Sequence, residues 1–312
     1  MDKIRLNKYT DDGVPVSFDT DLIVIGRAGK GISAPLIVET TGFGRGYLKD
    51  TREVDDSDDL EIAINYLGRL LGICMADEYR VLDHGMGVGL LSLDVANGED
   101  IFTDMRKVSA AAWYSYSDTR RPMPEWALRW VETAKHRAYP QLEDNAEIRC
   151  TCDRDCHDAL LLPLRIVLSL CSDDELYRRF EEEYLAMLVF DYIIGQTDRT
   201  LDNYGLIHSA DFTSYSLAPL FDNATLAKPY LADGLCSVNG MILERERILR
   251  TLMELKPCKV LPIISGMRKN LGSKLDSFCA VTKDICGDVC QRNRLITSVT
   301  NAYDCFCGLN FH

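Results

Sequence analysis

The sequence has no long uninterrupted hydrophobic run. Its longest apolar stretch, residues 159–171, is interrupted by Pro163 and Arg165. The first residues are charged and polar and do not form the apolar core of a secretion signal. A membrane-spanning helix needs about 20 consecutive apolar residues. We therefore predict a protein without a membrane span, located in the cytoplasm.

The sequence also has no excess of basic residues. Asp and Glu number 48 against 35 Lys and Arg, which gives a formal net charge of −13. A protein that binds along DNA or RNA needs clustered Lys and Arg to neutralise phosphates. The composition thus argues against direct nucleic-acid binding, and any nucleotide ligand is expected to be small and accompanied by a metal ion. Internal repeats and low-complexity tracts are absent as well.

Cysteine is abundant, with 12 residues, but no secretion signal accompanies it, so we expect thiols and not a disulfide framework. One group stands apart because it holds four potential zinc ligands within eight residues: Cys150, Cys152, Cys156 and His157. Structural zinc sites usually bring two pairs of ligands together from separate positions. An exposed acidic loop is therefore the preferred interpretation of this group, and a metal site is the alternative.

The length of 312 residues exceeds the size of a single hydrophobic core and predicts two parts with a cleft between them. Short β-branched or aromatic runs predict strands at 22–25, 35–40, 46–48 and 88–93, the first three forming a meander. Apolar residues at helical spacing predict a helix over 60–71. From about residue 104 onward the patterns are mainly helical. We predict an α+β fold, with a β-rich part at 1–104 and a helical part at 105–312.

In the second part, helical spacing predicts five helices, and two runs suggest a short hairpin. The helices are expected at 123–135, 173–194, 241–255, 260–271 and 281–303, and the hairpin at 205–207 and 215–217. Pro140, many acids and the cysteine group predict an irregular surface insertion over 137–158.

The most informative segment, residues 190–205, leaves an apolar helix and enters a polar loop. Asp198 and Asn203 lie five residues apart in that loop. In phosphoryl transfer an Asp can orient or deprotonate the attacking hydroxyl, and an Asn five residues later can hold a metal ion. Asp222 follows the predicted hairpin and could complete the oxygen ligands that Mg²⁺ prefers. The same pair can also arise by chance in a chain of this length.

The first part supplies features of a nucleotide site in the expected order. Gly26, Gly29 and Gly31 lie in a loop between two predicted strands, where backbone N–H groups can approach phosphates closely. Lys49 ends a predicted strand, and Glu61 begins the following helix, where its carboxylate could pair with the lysine. Taken singly, such glycines are often only a turn and such charges only solvated surface residues.

Segments 190–205 and 218–223 resemble the catalytic and metal-binding loops of the HipA-like Ser/Thr kinases. The resemblance implies a bilobal kinase-like fold, with Asp198 and Lys49 as catalytic residues and with Asn203 and Asp222 as Mg²⁺ ligands. It also implies a cofactor site for ATP, which is expected to involve Gly29, Lys30, Gly31, Ser33, Lys49, Glu61, Leu93 and Val95. The last two belong to a hinge predicted over 93–96.

The sequence departs from the family pattern in places. Thr200 stands where relatives commonly have His. The predicted phosphate loop lacks the Ser-Gly and Gln-Lys pattern of toxin-type members, so regulation by phosphorylation of that loop does not carry over. In length the chain is similar to the compact stand-alone members.

The resulting hypothesis is an ATP- and Mg²⁺-dependent kinase that transfers the γ-phosphate to a Ser or Thr hydroxyl of a protein. Autophosphorylation and an antitoxin-like partner are left open. One alternative is a kinase for a small molecule or a lipid headgroup, because related folds use the same loops for such acceptors. Another is a non-catalytic pseudokinase that serves as a binding module.

Overall fold

The computed structural model describes ten segments of the chain. They are residues 2–28, 35–50, 57–83, 89–96, 99–118, 153–170, 173–211, 213–223, 234–239 and 241–309. Within them the fold combines strands and helices, as the α+β prediction requires, with most strands in the first part and most helices in the second.

The first part forms a closed barrel of six strands in the order β1-β2-β3-β4-β6-β5, and all neighbouring strands are antiparallel. The strands are β1 (Asp2–Tyr9), β2 (Pro15–Arg27), β3 (Leu36–Thr40), β4 (Gly44–Asp50), β5 (Glu78–Asp83) and β6 (Gly89–Leu93). The sequence patterns predicted β2, β3, β4 and β6 but missed β1 and β5. Since those two strands pair with each other, the barrel closure was missed with them.

Apolar side chains at every second position of the strands fill the barrel. Because successive side chains point to opposite faces, every second residue faces the interior. The buried interior cluster consists of Ile4, Leu6, Leu22, Val38, Leu48, Tyr79, Val81 and Leu91. Lys49, one residue after Leu48, therefore lies on the outer face of the sheet, which is the face that carries the site described below.

Helix α1 (Ser57–Leu70) lies between β4 and β5 in the chain, and it joins the barrel to the rest of the protein by packing. Leu60, Ile64 and Leu67, spaced three or four residues apart, are fully buried, as the periodicity predicted. The helix packs mainly on α6 and also contacts β5. Its buried face thus belongs to the larger core, which the helices of the second part share.

The second part contains α2 (Met105–Asp118), α3 (Asp153–Leu170), α4 (Asp174–Ile194), α5 (Arg245–Leu255), α6 (Pro257–Ile285) and α7 (Val289–Gly308). Helix α4 is the central one, because it contacts α3, α5, α6 and α7. Its second half is buried almost without interruption, from Tyr184 to Ile194. The predicted helix at 173–194 is thereby confirmed.

Several predicted elements differ from the structure. The predicted helix at 241–255 starts as a strand, β11 (Met241–Glu244), which pairs with β10 (Leu235–Val238), and becomes helical at Arg245. The predicted helix at 281–303 is two helices, because α6 ends at Ile285 and Asp288 caps a new helix. The predicted helix at 123–135 lies outside the described residues.

The surface insertion predicted over 137–158 is wrong at its end, where Cys156 and His157 belong to α3. Cys156 has no solvent exposure, and its Sγ atom lies 3.4 Å from Oγ1 of Thr251, so an exposed loop is excluded at this residue. Cys150 and Cys152 lie outside the described residues. Among the residues that are described, no group of three or more His, Cys, Asp or Glu side chains lies close enough together to hold a metal ion.

A small antiparallel sheet joins the two parts. It consists of β7 (Ile101–Asp104), β8 (Gly205–His208) and β9 (Tyr215–Leu217), with β8 in the middle. The β8–β9 hairpin confirms the predicted one. Because β7 follows the barrel and β8 follows α4, this pairing brings the end of the first part against the polar loop after α4.

In the described segments, no helix is both long and apolar enough to cross a membrane.

Gly205, the first residue of β8, provides a test of this sheet. A Cβ atom there would lie 2.2 Å from the backbone oxygen of Thr103 and 2.8 Å from Cα of Asp104, and neither atom can move without shifting β7. We expect Gly205→Ala to lower the free energy of unfolding by about 1–3 kcal/mol. Gly266→Ala is the matched control, since a Cβ on this residue of α6 meets nothing within 4 Å. It should raise the free energy of unfolding by about 0.5–1 kcal/mol. Urea denaturation of both variants measures the difference, and equal stabilities would contradict the packing described here.

Candidate active site

The polar loop begins where α4 ends, at Gly195. This glycine has φ 66° and ψ 48°, the left-handed conformation that L side chains rarely adopt. The N–H of Gln196 donates to the carbonyl of Asp191 at 2.9 Å, and the N–H of Gly195 donates to that of Tyr192 at 3.4 Å. These two hydrogen bonds form a Schellman motif. The loop therefore starts from a fixed point on a buried helix.

Hydrogen bonds within the loop fix Asp198 and Asn203 relative to each other. The side-chain oxygen of Gln196 accepts from the N–H of Asp198 at 2.9 Å. The Asn203 amide nitrogen donates to the carbonyl of Asp198 at 2.7 Å. This bond sets the orientation of the Asn203 amide group. Its nitrogen is used in the hydrogen bond, and its Oδ1 atom is the one that can bind a cation.

Arg199, the next residue after Asp198, is buried with no solvent exposure. Its Nε and Nη2 atoms donate to the two carboxylate oxygens of Asp191 at 3.0 and 2.8 Å. Nη2 also donates to Oδ1 of Asn223 at 2.8 Å, and Nη1 donates to the carbonyl of Asn203 at 3.1 Å. Burial alone would lower the pKa of Arg199, but the carboxylate of Asp191 raises it, so the guanidinium remains charged.

Lys49 of β4 lies between two carboxylates. Its Nζ atom is 2.9 Å from both carboxylate oxygens of Glu61, on α1, and 3.0 Å from Oδ1 of Asp222. Burial alone would lower the pKa of Lys49, but the carboxylates of Glu61 and Asp222 outweigh this effect and raise it. The side chain of Glu61 is 3% exposed whereas that of Asp222 is 42% exposed, so only Asp222 presents its carboxylate to solvent.

A cavity of about 240 Å³ opens beside this cluster. Residues of the barrel strands line it together with Phe102 of β7 and Phe221, whose rings meet edge to face with centroids 5.6 Å apart. The remaining lining residues are Pro35, Tyr47, Lys49, Glu78, Ser92, Leu93, Asp94, Val95 and Asp222. The cavity is mainly apolar, with charged groups at one end. This composition suits a planar base attached to an anionic group.

Glu78, the first residue of β5, is the least expected group in the cavity. It is 2% exposed, and its Oε2 atom accepts a hydrogen bond from the amide of Asn65 at 3.1 Å. Its Oε1 atom has no hydrogen-bond partner among the described residues. Burial, together with the nearby carboxylate of Glu61, raises the pKa of Glu78 well above its ordinary value. The group therefore favours the protonated form.

The structure brings together most of the residues singled out from the sequence. Lys49, Glu61 and Asp222 are in direct contact, and Leu93 and Val95 line the same cavity. Arg199 links the loop of Asp198 and Asn203 to the segment after Asp222. Four expected residues of the phosphate loop lie outside the described residues, namely Gly29, Lys30, Gly31 and Ser33.

Comparison with known proteins shows which fold this is. No family model matches the sequence, and no curated protein sequence matches it significantly. Among solved structures, the kinase CtkA from Helicobacter pylori matches with a TM-score of 0.60 at 10% identity, covering 93% of this chain and 98% of that chain. HipA from Shewanella oneidensis MR-1, solved with HipB and operator DNA, matches with a TM-score of 0.51 at 9% identity, covering 93% of this chain and 66% of that one.

The chain has the fold of the HipA-like kinases. This confirms the resemblance that the loop motifs indicated. At 9–10% identity the match shows the fold alone, so the chemistry must be argued from the residues of this chain.

Several groups of the site were not predicted from the sequence. Phe102 and Phe221 are far apart in the chain and carry no joint signal. Glu78 belongs to a strand that was not predicted. Asp191 was hidden in an apolar helix, although a lone acid in the otherwise apolar run of residues 184–194 is a signal of a buried partner.

Glu78 is expected to lower the free energy of unfolding as the pH rises, whereas most carboxyl groups in folded proteins raise it. Because its pKa is raised in the folded state, the folded protein keeps a proton that the unfolded chain releases above the ordinary value of 4.5. The contribution of Glu78 to folding stability should therefore fall as the pH rises from that value. We expect Glu78→Gln, which cannot ionise, to equal the unchanged protein near pH 4.5 and to be increasingly more stable above it. Thermal unfolding without nucleotide or metal, recorded across pH, measures this.

Glu175→Gln is the control with the opposite sign. Exposed Glu175 hydrogen-bonds to Arg178, which lowers its pKa, so its replacement should cost a little stability at neutral pH. If the difference in thermal stability between Glu78→Gln and the unchanged protein stays constant at all pH values, the raised pKa of Glu78 is contradicted.

Proposed function

We propose that this protein is an ATP- and Mg²⁺-dependent kinase that transfers the γ-phosphoryl group to a Ser or Thr hydroxyl of a protein. The observation that carries the proposal is Lys49, held between Glu61 and Asp222 at the charged end of the cavity lined by Leu93 and Val95. A lysine paired with a helix carboxylate and an aspartate beside a base-sized cavity is the arrangement that phosphoryl transfer from ATP requires.

The donor set fits Mg²⁺. Asp222 offers a partly exposed carboxylate, and Asn203 offers an amide oxygen whose partner nitrogen is already bonded to the carbonyl of Asp198. Oxygen atoms of this kind are the ligands that Mg²⁺ prefers, alongside phosphate oxygens. Bound Mg²⁺ would neutralise charge on the phosphates during transfer.

The remaining steps fall to side chains of this chain. The ammonium of Lys49 would bind phosphate oxygens while Glu61 holds it in place. Asp198 would orient the acceptor hydroxyl and take its proton as the new ester oxygen–phosphorus bond forms and the bond between the γ-phosphorus and the bridging oxygen breaks. The products are a phosphoester and ADP. Positioning and charge neutralisation would supply most of the rate enhancement.

We propose that the barrel and the helical part act as the two lobes of a kinase, divided near residue 104, with the nucleotide between them. The cavity supports this layout, because residues of the barrel and Phe102 line it together with Phe221 and Asp222 of the second part. Loop 93–96 would serve as the hinge. Asp94 fits that role, since its N–H donates to the carbonyl of Arg45 at 2.9 Å and its carboxylate accepts from the N–H of Ala96 at 3.2 Å.

Removal of the reacting groups tests the proposal. We expect Asp198→Ala to lower phosphoryl transfer by about 10²–10⁴-fold, the usual contribution of a positioned base. Lys49→Ala and Asp222→Ala should also abolish most of the transfer. Purified protein is incubated with γ-labelled ATP and Mg²⁺, with or without a basic protein acceptor, and label is measured in protein and in small molecules.

Asp202→Ala is the matched control for these variants. It removes the same charge from the same loop, but Asp202 is half exposed and pairs with Arg106 at the surface. It should transfer phosphate like the unchanged protein. Label found only in small molecules would overturn the protein acceptor. Equal label in all variants, or none in any, would overturn the kinase.

The size of the cavity gives a second test, which measures binding and not catalysis. Ser92 of β6 lines the cavity together with the two phenylalanine rings. We expect Ser92→Phe to fill the space and to prevent binding of a non-hydrolysable ATP analogue with Mg²⁺, measured by titration calorimetry. Ser17→Phe is the control, because Ser17 is exposed on β2, away from the cavity lining. Unchanged binding by Ser92→Phe would show that the base binds elsewhere.

A further inference from the structure

We propose that Arg199 is a positioning residue that holds Asn203 and Asp222, the two Mg²⁺ ligands, at a fixed spacing. The inference rests on the proposed function, since it concerns the metal site of that reaction. It assigns a role to a residue that touches neither the substrate nor the metal and that acts through its neighbours.

The contacts of Arg199 reach both ligand segments at once. Nη1 donates to the carbonyl of Asn203 at 3.1 Å, and Nη2 donates to Oδ1 of Asn223, the residue after Asp222, at 2.8 Å. Asn203 and Asp222 are separated in the chain by the β8–β9 hairpin. One planar guanidinium therefore connects the two segments more directly than the polypeptide does.

Asp191 fixes this connector to the core. Its carboxylate accepts from Nε and Nη2 of Arg199 in a bidentate arrangement, and the two side chains are 1% and 0% exposed. Asp191 lies in the last turn of α4, whose end is set by the left-handed Gly195 and by burial on all sides. A shift of the guanidinium would have to break a buried ion pair, which is strongly unfavourable.

A lysine could not replace this arginine. The guanidinium presents five N–H donors in a rigid plane, whereas the ammonium of lysine is a point charge on a flexible stem. Lysine could retain the ion pair with Asp191, but it could not also reach the Asn203 carbonyl and Asn223 with fixed geometry. The substitution Arg199→Lys thus keeps the charge and removes the connection.

Arg245 allows the positioning role to be separated from simple stabilisation. This arginine also binds the end of α4, since its Nε donates to the carbonyl of Tyr192 at 2.6 Å and its Nη2 donates to those of Ile193 and Ser298 at 3.0 and 2.9 Å. It ties α4 to α7, and in the described residues its hydrogen bonds do not include Asn203 or Asn223. Both arginines stabilise the fold, but only Arg199 contacts the ligand segments.

The test compares Arg199→Lys with Arg245→Lys in the Mg²⁺ dependence of binding of a non-hydrolysable ATP analogue, measured by titration calorimetry on the full chain. We expect Arg199→Lys to raise the Mg²⁺ concentration at half-saturation by about 10–100-fold, the usual effect of losing a residue that orients metal ligands. Arg245→Lys should leave that concentration unchanged while lowering the thermal unfolding midpoint.

Asn223→Ala keeps the test decisive if Arg199→Lys does not fold. It removes one acceptor of the connection, leaves the Asp191–Arg199 ion pair in place, and should raise the Mg²⁺ requirement in the same direction. If Arg199→Lys and Asn223→Ala both show normal Mg²⁺ dependence, the positioning role of Arg199 is overturned. The proposed function is not affected by that outcome. Absence of Mg²⁺-dependent binding in the unchanged protein would overturn the proposed function and this inference with it.

Discussion

The buried guanidinium of Arg199 is the constraint on which the geometry of the site depends. A charge removed from water must be compensated by an opposite charge and by hydrogen bonds to its donors, or the folded state loses several kcal/mol. In this protein the compensation comes from Asp191 on α4, from the carbonyl of Asn203 and from the side chain of Asn223. Satisfying one side chain thus requires three segments to meet at one point.

Under the proposed function, the charges beside the cavity account for a metal requirement. Lys49 is the cation between Glu61 and Asp222, and two carboxylates exceed one ammonium. A triphosphate entering the cavity would meet a surplus of negative charge from Asp222. A divalent cation bound by Asp222 would reverse that sign and free the ammonium to contact phosphate. The raised pKa of Glu78 fits the same balance, because a third carboxylate charge buried beside that of Glu61 would be unfavourable.

Sequence patterns predicted the elements whose signal is local. Strands β2, β3, β4 and β6 follow from short β-branched or aromatic runs, and α1 and α4 follow from apolar residues at helical spacing. The loop of Asp198 and Asn203 was predicted because its residues are neighbours in the chain, and the HipA-like fold was inferred from it.

The features that could not be predicted from the sequence depend on contacts between residues far apart in the chain. Closure of the barrel depends on pairing of β1 with β5, which are about seventy residues apart and have no shared signal. Helix α3 was not predicted, because Pro140 and the acids before it favour a loop, and tertiary burial of Cys156 overrides that local preference. The cavity could not be predicted either, since Glu78, Phe102 and Phe221 come from three segments that meet only in the folded chain.

The backbone of Asp222 links these observations. Its φ of 52° places a non-glycine residue in the left-handed region, which costs about 1–3 kcal/mol at a strained site. Asp tolerates this conformation better than most residues. The neighbours on each side hold it there: the ring of Phe221 packs on Phe102, and Asn223 is buried against Arg199. Because both flanking side chains are fixed, the carboxylate between them has little freedom to turn away from Lys49. A carboxylate held in this way loses little conformational entropy when it binds a ligand, so the backbone of Asp222 favours a site that is formed before its ligand arrives.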